Sequence, residues 1–332
     1  MKKIMLTLII VMCAVTAYAL EVDKTELESA GTADSIVFIN YTGPHAVINT
    51  ADQIKSIGSS LSPAVTQNNL GIPGSFGNRE LYYVIHAVDP SVKEKLDADI
   101  LILGPNAGVD HIRNLRRILS SYLSAAYGYT EKDAETLSVF ITVYNAVYRS
   151  KMDVFTSKYK TVVMQHLESS KAGLSVNYEE WPGKTQIVIP LSDLEGGLGT
   201  IDTSIISDKQ VVSSMQETET KEIDARKDMV DIKEREAQDA QKSAADAQKA
   251  AADAQKKAAE EEAKRKAEEE KLKKAEADAL AAQKKADENP GDEQAQKEAE
   301  DKQKEAEAQK ETVEKQEDKV AEAKEEAEAL KT

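Results

Sequence analysis

Cysteine is almost missing from this chain. The one cysteine in 332 residues is Cys13, inside an apolar stretch at the start. A disulfide framework is therefore excluded, and so is thiol chemistry once that stretch is removed. Histidine is nearly as scarce. His45, His86, His111 and His166 stand far apart, and none has a partner at the spacing a zinc site needs. Neither a nucleophile elbow nor a zinc-protease helix motif occurs. No catalytic residue, cofactor-binding residue or metal ligand is predicted, and the chain reads as non-enzymatic. Positive charge is in deficit, with 43 Lys and Arg against 59 Asp and Glu and a net charge of −16. That balance argues against nucleic acid as a partner and against charge-driven adhesion to anionic membrane.

Two glycine-bearing stretches imitate phosphate sites. Pro182-Gly183-Lys184-Thr185 has Tyr178 where a phosphate loop needs glycine, and a strand-like run follows it where a helix is required. Gly71, Gly74 and Gly77 lie in a glycine-rich loop read over 69–78, without the strand–turn–helix setting of a dinucleotide site. Gly104-Pro105-Asn106-Ala107-Gly108 does lie between a strand and a helix start, where free amides can hold an anion. The simpler expectation there is an ordinary connection with Asp110 as N-cap.

Lys2 and Lys3, the apolar run 4–15 and Ala17-Tyr18-Ala19 form a secretory leader over 1–19, with the mature chain starting at Leu20. The apolar run is short for a membrane span, so none is expected after cleavage. Ile10-Val11-Met12-Cys13 loosely resembles a lipid-attachment box and is the weaker reading. The protein is expected to be exported, first to the periplasm, with outer-membrane association or the cell surface as alternatives.

Residues 20–207 read as a globular α/β or α+β head. Apolar runs predict buried strands at 35–40, 81–88, 99–103 and 186–191. Helical spacing predicts helices over 50–61, 110–126, a longer one opened by Thr130 and Asp133, and 159–167. In the long helix, Leu137, Phe140, Ile141, Tyr144, Val147 and Tyr148 form one apolar face, which belongs to a core. About 190 residues suffice for a proper core.

What is abundant is the helix-former set. Residues 208–332 carry 37 acids and 26 bases, and residues 208–288 hold no Pro or Gly. They predict a long charged, Ala-rich helix over 208–288. Residues 239–259 are three near-identical sevens, and Ala237, Ala240, Ala244, Ala247, Ala251, Ala254 and Ala258 alternate steps of three and four. Glu260, Glu261, Glu262, Glu269 and Glu270 each precede a cation by four residues. Asn289-Pro290-Gly291-Asp292 is a turn. A second helix over 293–332 follows, with Ala299, Ala306, Val313, Val320 and Ala327 every seven residues. Helix, turn and helix predict a coiled-coil-like hairpin arm. A solvated single helix and a disordered arm are the alternatives, since an Ala contact buries about one methyl, roughly 0.8 kcal/mol.

Several stretches resemble one family. Phe38-Ile39-Asn40-Tyr41-Thr42-Gly43-Pro44, Gln53-Ile54-Lys55-Ser56-Ile57-Gly58, Asn114-Leu115-Arg116-Arg117-Ile118-Leu119, Ile141-Thr142-Val143-Tyr144-Asn145-Ala146-Val147-Tyr148-Arg149, Ala172-Gly173-Leu174-Ser175 and Trp181-Pro182-Gly183-Lys184-Thr185-Gln186-Ile187-Val188-Ile189-Pro190-Leu191 resemble, in order, the spirochaete 83/100-kilodalton antigens. The likeness covers roughly 20–230, and the charged helical segment after it is typical in kind. It implies an exported, envelope-associated antigen, with no established catalytic residues to carry over. In that family a further, β-rich region follows the charged segment.

These readings converge on an envelope protein whose head docks a protein partner and whose arm is a spacer or self-association element. A surface adhesin contacting host molecules, and a small-ligand or anion-binding head, are the alternatives. Arg116 and Arg117 are neighbours on a helix and point about 100° apart, so at least one faces solvent or pairs with an acid. With Asn106 and Gly108 they are the candidate contact surface.

Overall fold

A computed structural model describes residues 35–45, 49–65, 70–216 and 219–330 of the chain. The leader read at 1–19, with Cys13, lies outside the described residues. The chain divides into two compact units, 1–238 and 239–332, each considered by itself.

The first unit is built on a four-stranded sheet of β1 (Gly74–Gly77), β2 (Tyr82–Ala87), β3 (Asp97–Leu103) and β4 (Thr185–Leu191), in that spatial order. Every pairing is antiparallel, which makes the unit α+β. Pro190, which has no amide proton to give, is accommodated because β4 is an edge strand. Between β3 and β4 run α2 (Ile112–Tyr127), α3 (Glu131–Val147), α4 (Met152–Lys158) and α5 (Thr161–Met164). α1 (Ala51–Ser59) precedes the sheet; α6 (Thr203–Ile206), α7 (Lys209–Ser213) and the start of α8 (Thr220–Glu288) follow it.

Local sequence explains most of these limits. Thr50 accepts from the Gln53 amide while the Gln53 side chain returns to the Thr50 amide, closing a capping box at the head of α1. Thr130 caps α3 by accepting from the Asp133 amide, as expected. α2 ends on Gly128 at φ 78°, a left-handed cap that glycine adopts without strain. Gly58 is where α1 meets α2. A Cβ there would lie 1.9 Å from the Ile118 carbonyl oxygen, so the two backbones pack in direct contact. The expected apolar face of α3 is buried throughout. Trp181 is also buried, and its indole nitrogen donates to the Ser175 carbonyl at 2.7 Å.

α3 also seals the open edge of β4. The Asn145 side chain accepts from the Val188 amide and donates to the Val188 carbonyl, both at 2.8 Å. One amide side chain thus occupies the place of a neighbouring strand.

Five expectations are corrected. Residues 35–40 form no strand. Phe38 is buried, Val37 and Ile39 face solvent, and a single parallel bridge joins Ile39 to Asn177. The loop read over 69–78 contains β1, whose four residues pair with β2. His111, not Asp110, caps α2, accepting from the Arg113 amide. The helix read over 159–167 is the single turn α5, and α4 precedes it. Residues 208–238, grouped with the arm by composition, belong to the first compact unit. Val211, Val212, Met229 and Ile232 join its core, and Arg235 forks onto Asp133 at 2.6 and 3.1 Å.

The second unit is an antiparallel helical hairpin of α8 beyond residue 238 and α9 (Glu293–Ala329). The turn at 289–292 is closed by the Asp292 amide donating to the Asn289 carbonyl. Asp292 then caps α9, accepting from the amides of Gln294 and Ala295. The seam contains Ala254, Ala282, Ala286, Ala299, Val313, Val320, Ala323 and Ala327, all buried. Gln309 and Gln316 donate across it to Glu268 and Glu261, and Lys257 and Lys324 reach Glu326 and Glu262 at 2.8 and 3.0 Å. Ala240 and Ala247 of the tandem sevens are exposed. They lie on α8 before Lys257, whose ammonium donates to Glu326 on α9.

Candidate functional site

α2 carries its cations in a row, Arg113, Arg116 and Arg117, with no acid in its first turn. The structure gives them different roles. Arg116 is turned inward with its side chain 12% exposed. Its Nε donates to Thr142 on α3 at 3.0 Å, and its Nη2 donates to Glu222 on α8 at 2.8 Å. Glu222 is 1% exposed and also accepts from the Gln216 amide. Arg116 is therefore a tie between three elements. Among the described residues, Arg117, about 100° round the helix, donates to the neutral Asn114 side chain at 2.8 Å and pairs with no acid.

Arg113 was not singled out from sequence. One turn before Arg117, it is exposed. The spacing of four between the two arginines was the signal that could have found it. Both line a cavity of about 390 Å³, with Phe38, Ile112 and Val139 among its walls. His111 stands on the same rim. Burial, and then the nearby Arg113 charge, lower its pKa below the ordinary histidine value.

Asn106 and Gly108 are placed elsewhere. Asn106 lies in the turn after β3, where its amide donates to the Glu80 carbonyl and its side chain to the Glu80 carboxylate at 3.3 Å. Gly108 lines a different cavity of about 400 Å³ with His45, Tyr82 and Asn114. The first amides of α2 are already taken, Ile112 by Asn40 and Arg113 by His111. The four candidate residues thus fall at two openings and in a turn, not in one site.

A buried polar cluster lies below the sheet. His86 and Asp99 pair across β2 and β3, both wholly buried. His86 Nδ1 meets Asp99 at 2.6 Å and Nε2 meets the Leu70 carbonyl at 2.6 Å. The other Asp99 oxygen accepts from Tyr122 at 2.6 Å and from Tyr127. The Leu70 carbonyl can only accept, so Nε2 donates to it, and the Asp99 carboxyl beside Nδ1 favours a positive charge on the ring. Burial opposes that charge, but the Asp99 hydrogen bond and charge outweigh it and raise the His86 pKa above 6.5. Burial, with the Asp99 charge, drives both tyrosines well above 10. Enclosed on all sides, the cluster serves the fold. Its sequence signal was a histidine and an aspartate inside otherwise apolar strand runs.

A second buried acid lies on α8. Glu236 accepts from Thr203 at 2.6 Å, while among the described residues its other oxygen and the Thr200 hydroxyl have no partner. Burial lifts its carboxyl to about 7. Among the described residues no three His, Cys, Asp or Glu side chains converge as a metal set. None of the described helices is long and apolar enough to cross a membrane.

No curated protein and no solved structure matches the chain. A family model does, from residue 24 to residue 332, across the sheet, its helices and the hairpin. That span agrees with the resemblance carried by the motifs of the first unit and extends it through the charged helices, and the chain belongs to the Borrelia P83/100 protein family.

Proposed function

We propose that the protein is a non-enzymatic, exported envelope protein of the spirochaete antigen type. Its first unit docks a protein partner, and its paired helices serve as a spacer or self-association element. The observation that carries this reading is the hairpin. Its 37-residue second limb, α9, would span about 55 Å at 1.5 Å per residue. Among the described residues, the buried side chains of its seam are alanine and valine, a thin contact suited to separation or reversible association rather than to chemistry. The leader pattern at 1–19 and the family membership support export.

Protease added to intact cells, and then to cells with the outer membrane opened, tests the location. Loss of the first unit only after opening fits the periplasmic structural reading. Loss in intact cells moves the protein to the surface and makes host adhesion the better reading. Sedimentation of the purified chain over a hundredfold concentration range tests the arm. A constant monomer removes self-association and leaves the spacer role.

A further inference from the structure

We propose that the opening beside the start of α2 docks an acidic peptide segment of a partner protein, with Arg113 and Arg117 holding its carboxylates and one apolar side chain seated among Phe38, Ile112 and Val139. This deepens the docking role proposed above and rests on it.

Arg113 and Arg117 are four residues apart on one helix, so their like charges repel. They also stand near the positive end of the helix dipole. Among the described residues neither has a carboxylate partner, in a chain with 59 acids. Three acids line the same opening, each with a partner of its own. Glu222 is bound to Arg116, Glu219 accepts from the Glu222 amide at 2.9 Å, and Glu135 lies 3.9 Å from Lys221. Among the described residues, Arg113 and Arg117 are thus the arginines at this opening without an ion pair, an unfilled demand for anion.

The kind of anion follows from the surroundings. The first amides of α2 are occupied, so an amide-cradled phosphate finds no cradle. Guanidinium forks match carboxylates in geometry. The cavity of about 390 Å³ between them has room for an apolar side chain. A net charge of −16 repels extended polyanions and anionic membrane, whereas a short segment with a few carboxylates meets mainly the local field.

The test uses the full chain and a fluorescein-labelled peptide, Glu-Glu-Leu-Phe-Glu-Glu, read by anisotropy at low and physiological salt. Saturable binding is expected, weakened by salt. Arg113→Glu with Arg117→Glu should reduce affinity at least about tenfold with unchanged circular dichroism, and lysine at both positions should restore part of it. Replacing the four peptide glutamates by glutamine should cost a similar factor. Absence of saturation at millimolar peptide, equal binding by the double variant, or equal binding of the glutamine peptide would overturn the proposal. A photo-crosslinking residue in place of exposed Ile39 separates this from the docking reading itself. An intact-cell adduct that persists in the double variant keeps docking and rejects this surface. No adduct from Ile39 or from positions around the unit rejects docking as well.

Discussion

At the scale of single residues, the buried ionisable groups govern how stability follows pH. His86 has its pKa raised above 6.5 in the folded chain. Its contribution is full below the unfolded value and is lost as pH rises through the folded one. The urea midpoint should therefore fall as pH rises above 6.5, and His86→Gln should lose that dependence. Asp99 accepts from Tyr122 and Tyr127 and pairs with His86, with no exposure. Asp99→Asn should cost about 3–5 kcal/mol, the usual penalty for breaking a buried pair from one side. Glu236 behaves in the same sense from a different chemistry. Its folded value of about 7 lies above its ordinary value of 4.5. The protonated acid is favoured in the fold, so stability declines as pH rises from about 4.5 through 7. Glu236→Gln should abolish this decline and stabilise the chain at pH 8 by on the order of 1–3 kcal/mol. An unchanged pH profile in that variant would show that the carboxyl is solvated.

At the scale of elements, edges and seams decide what each segment becomes. Asn145→Ala leaves the Val188 amide and carbonyl without their partners at the edge of β4. It should cost about 2–4 kcal/mol, since two buried groups lose satisfaction, with hydrogen exchange at Val188 accelerated most. In the hairpin, Val313→Ala with Val320→Ala removes four carbons from the seam. It should lower stability by about 2–3 kcal/mol and bring forward the thermal loss of helicity. The same scale shows what sequence could reveal. The helices with caps and stripes were legible because Thr50, Thr130 and the Leu137–Tyr144 face act within a few residues. β1 was not, because Gly74-Ser75-Phe76-Gly77 becomes a strand only through β2. Residues 35–40 misled for the opposite reason, an apolar run of which Phe38 is buried but Val37 and Ile39 are not. The heptads of α8 were read from spacing, but spacing cannot say where a second helix lies. Ala282 and Ala286 are buried, whereas Ala240 and Ala247 are not. The candidate surface was half legible. The arginines stood out by type, but Arg116 finds Glu222 across 106 residues.

At the scale of the whole molecule, composition and cooperativity place the boundary differently. By composition the charged segment begins near residue 208. By packing the first unit continues to Gln238, because Glu222, Met229, Ile232 and Arg235 bind or bury against the α+β core. The core of that unit contains wholly buried aromatics such as Trp181, Tyr122 and Phe140. The core of the second unit is a line of methyl groups. The two should therefore not unfold together. In urea, far-ultraviolet ellipticity should fall in two steps, the first at low denaturant as the hairpin separates. Near-ultraviolet signals and Trp181 fluorescence should change only in the second. A stop codon after residue 238 should remove the first step and leave the second at the same midpoint, whereas a stop after residue 207 should lower it sharply. Coincident transitions in the full chain would mean that the methyl seam is coupled to the α+β core and that 238 is no boundary in folding. Loss of the second step on truncation at 238 would make the same point from the other side.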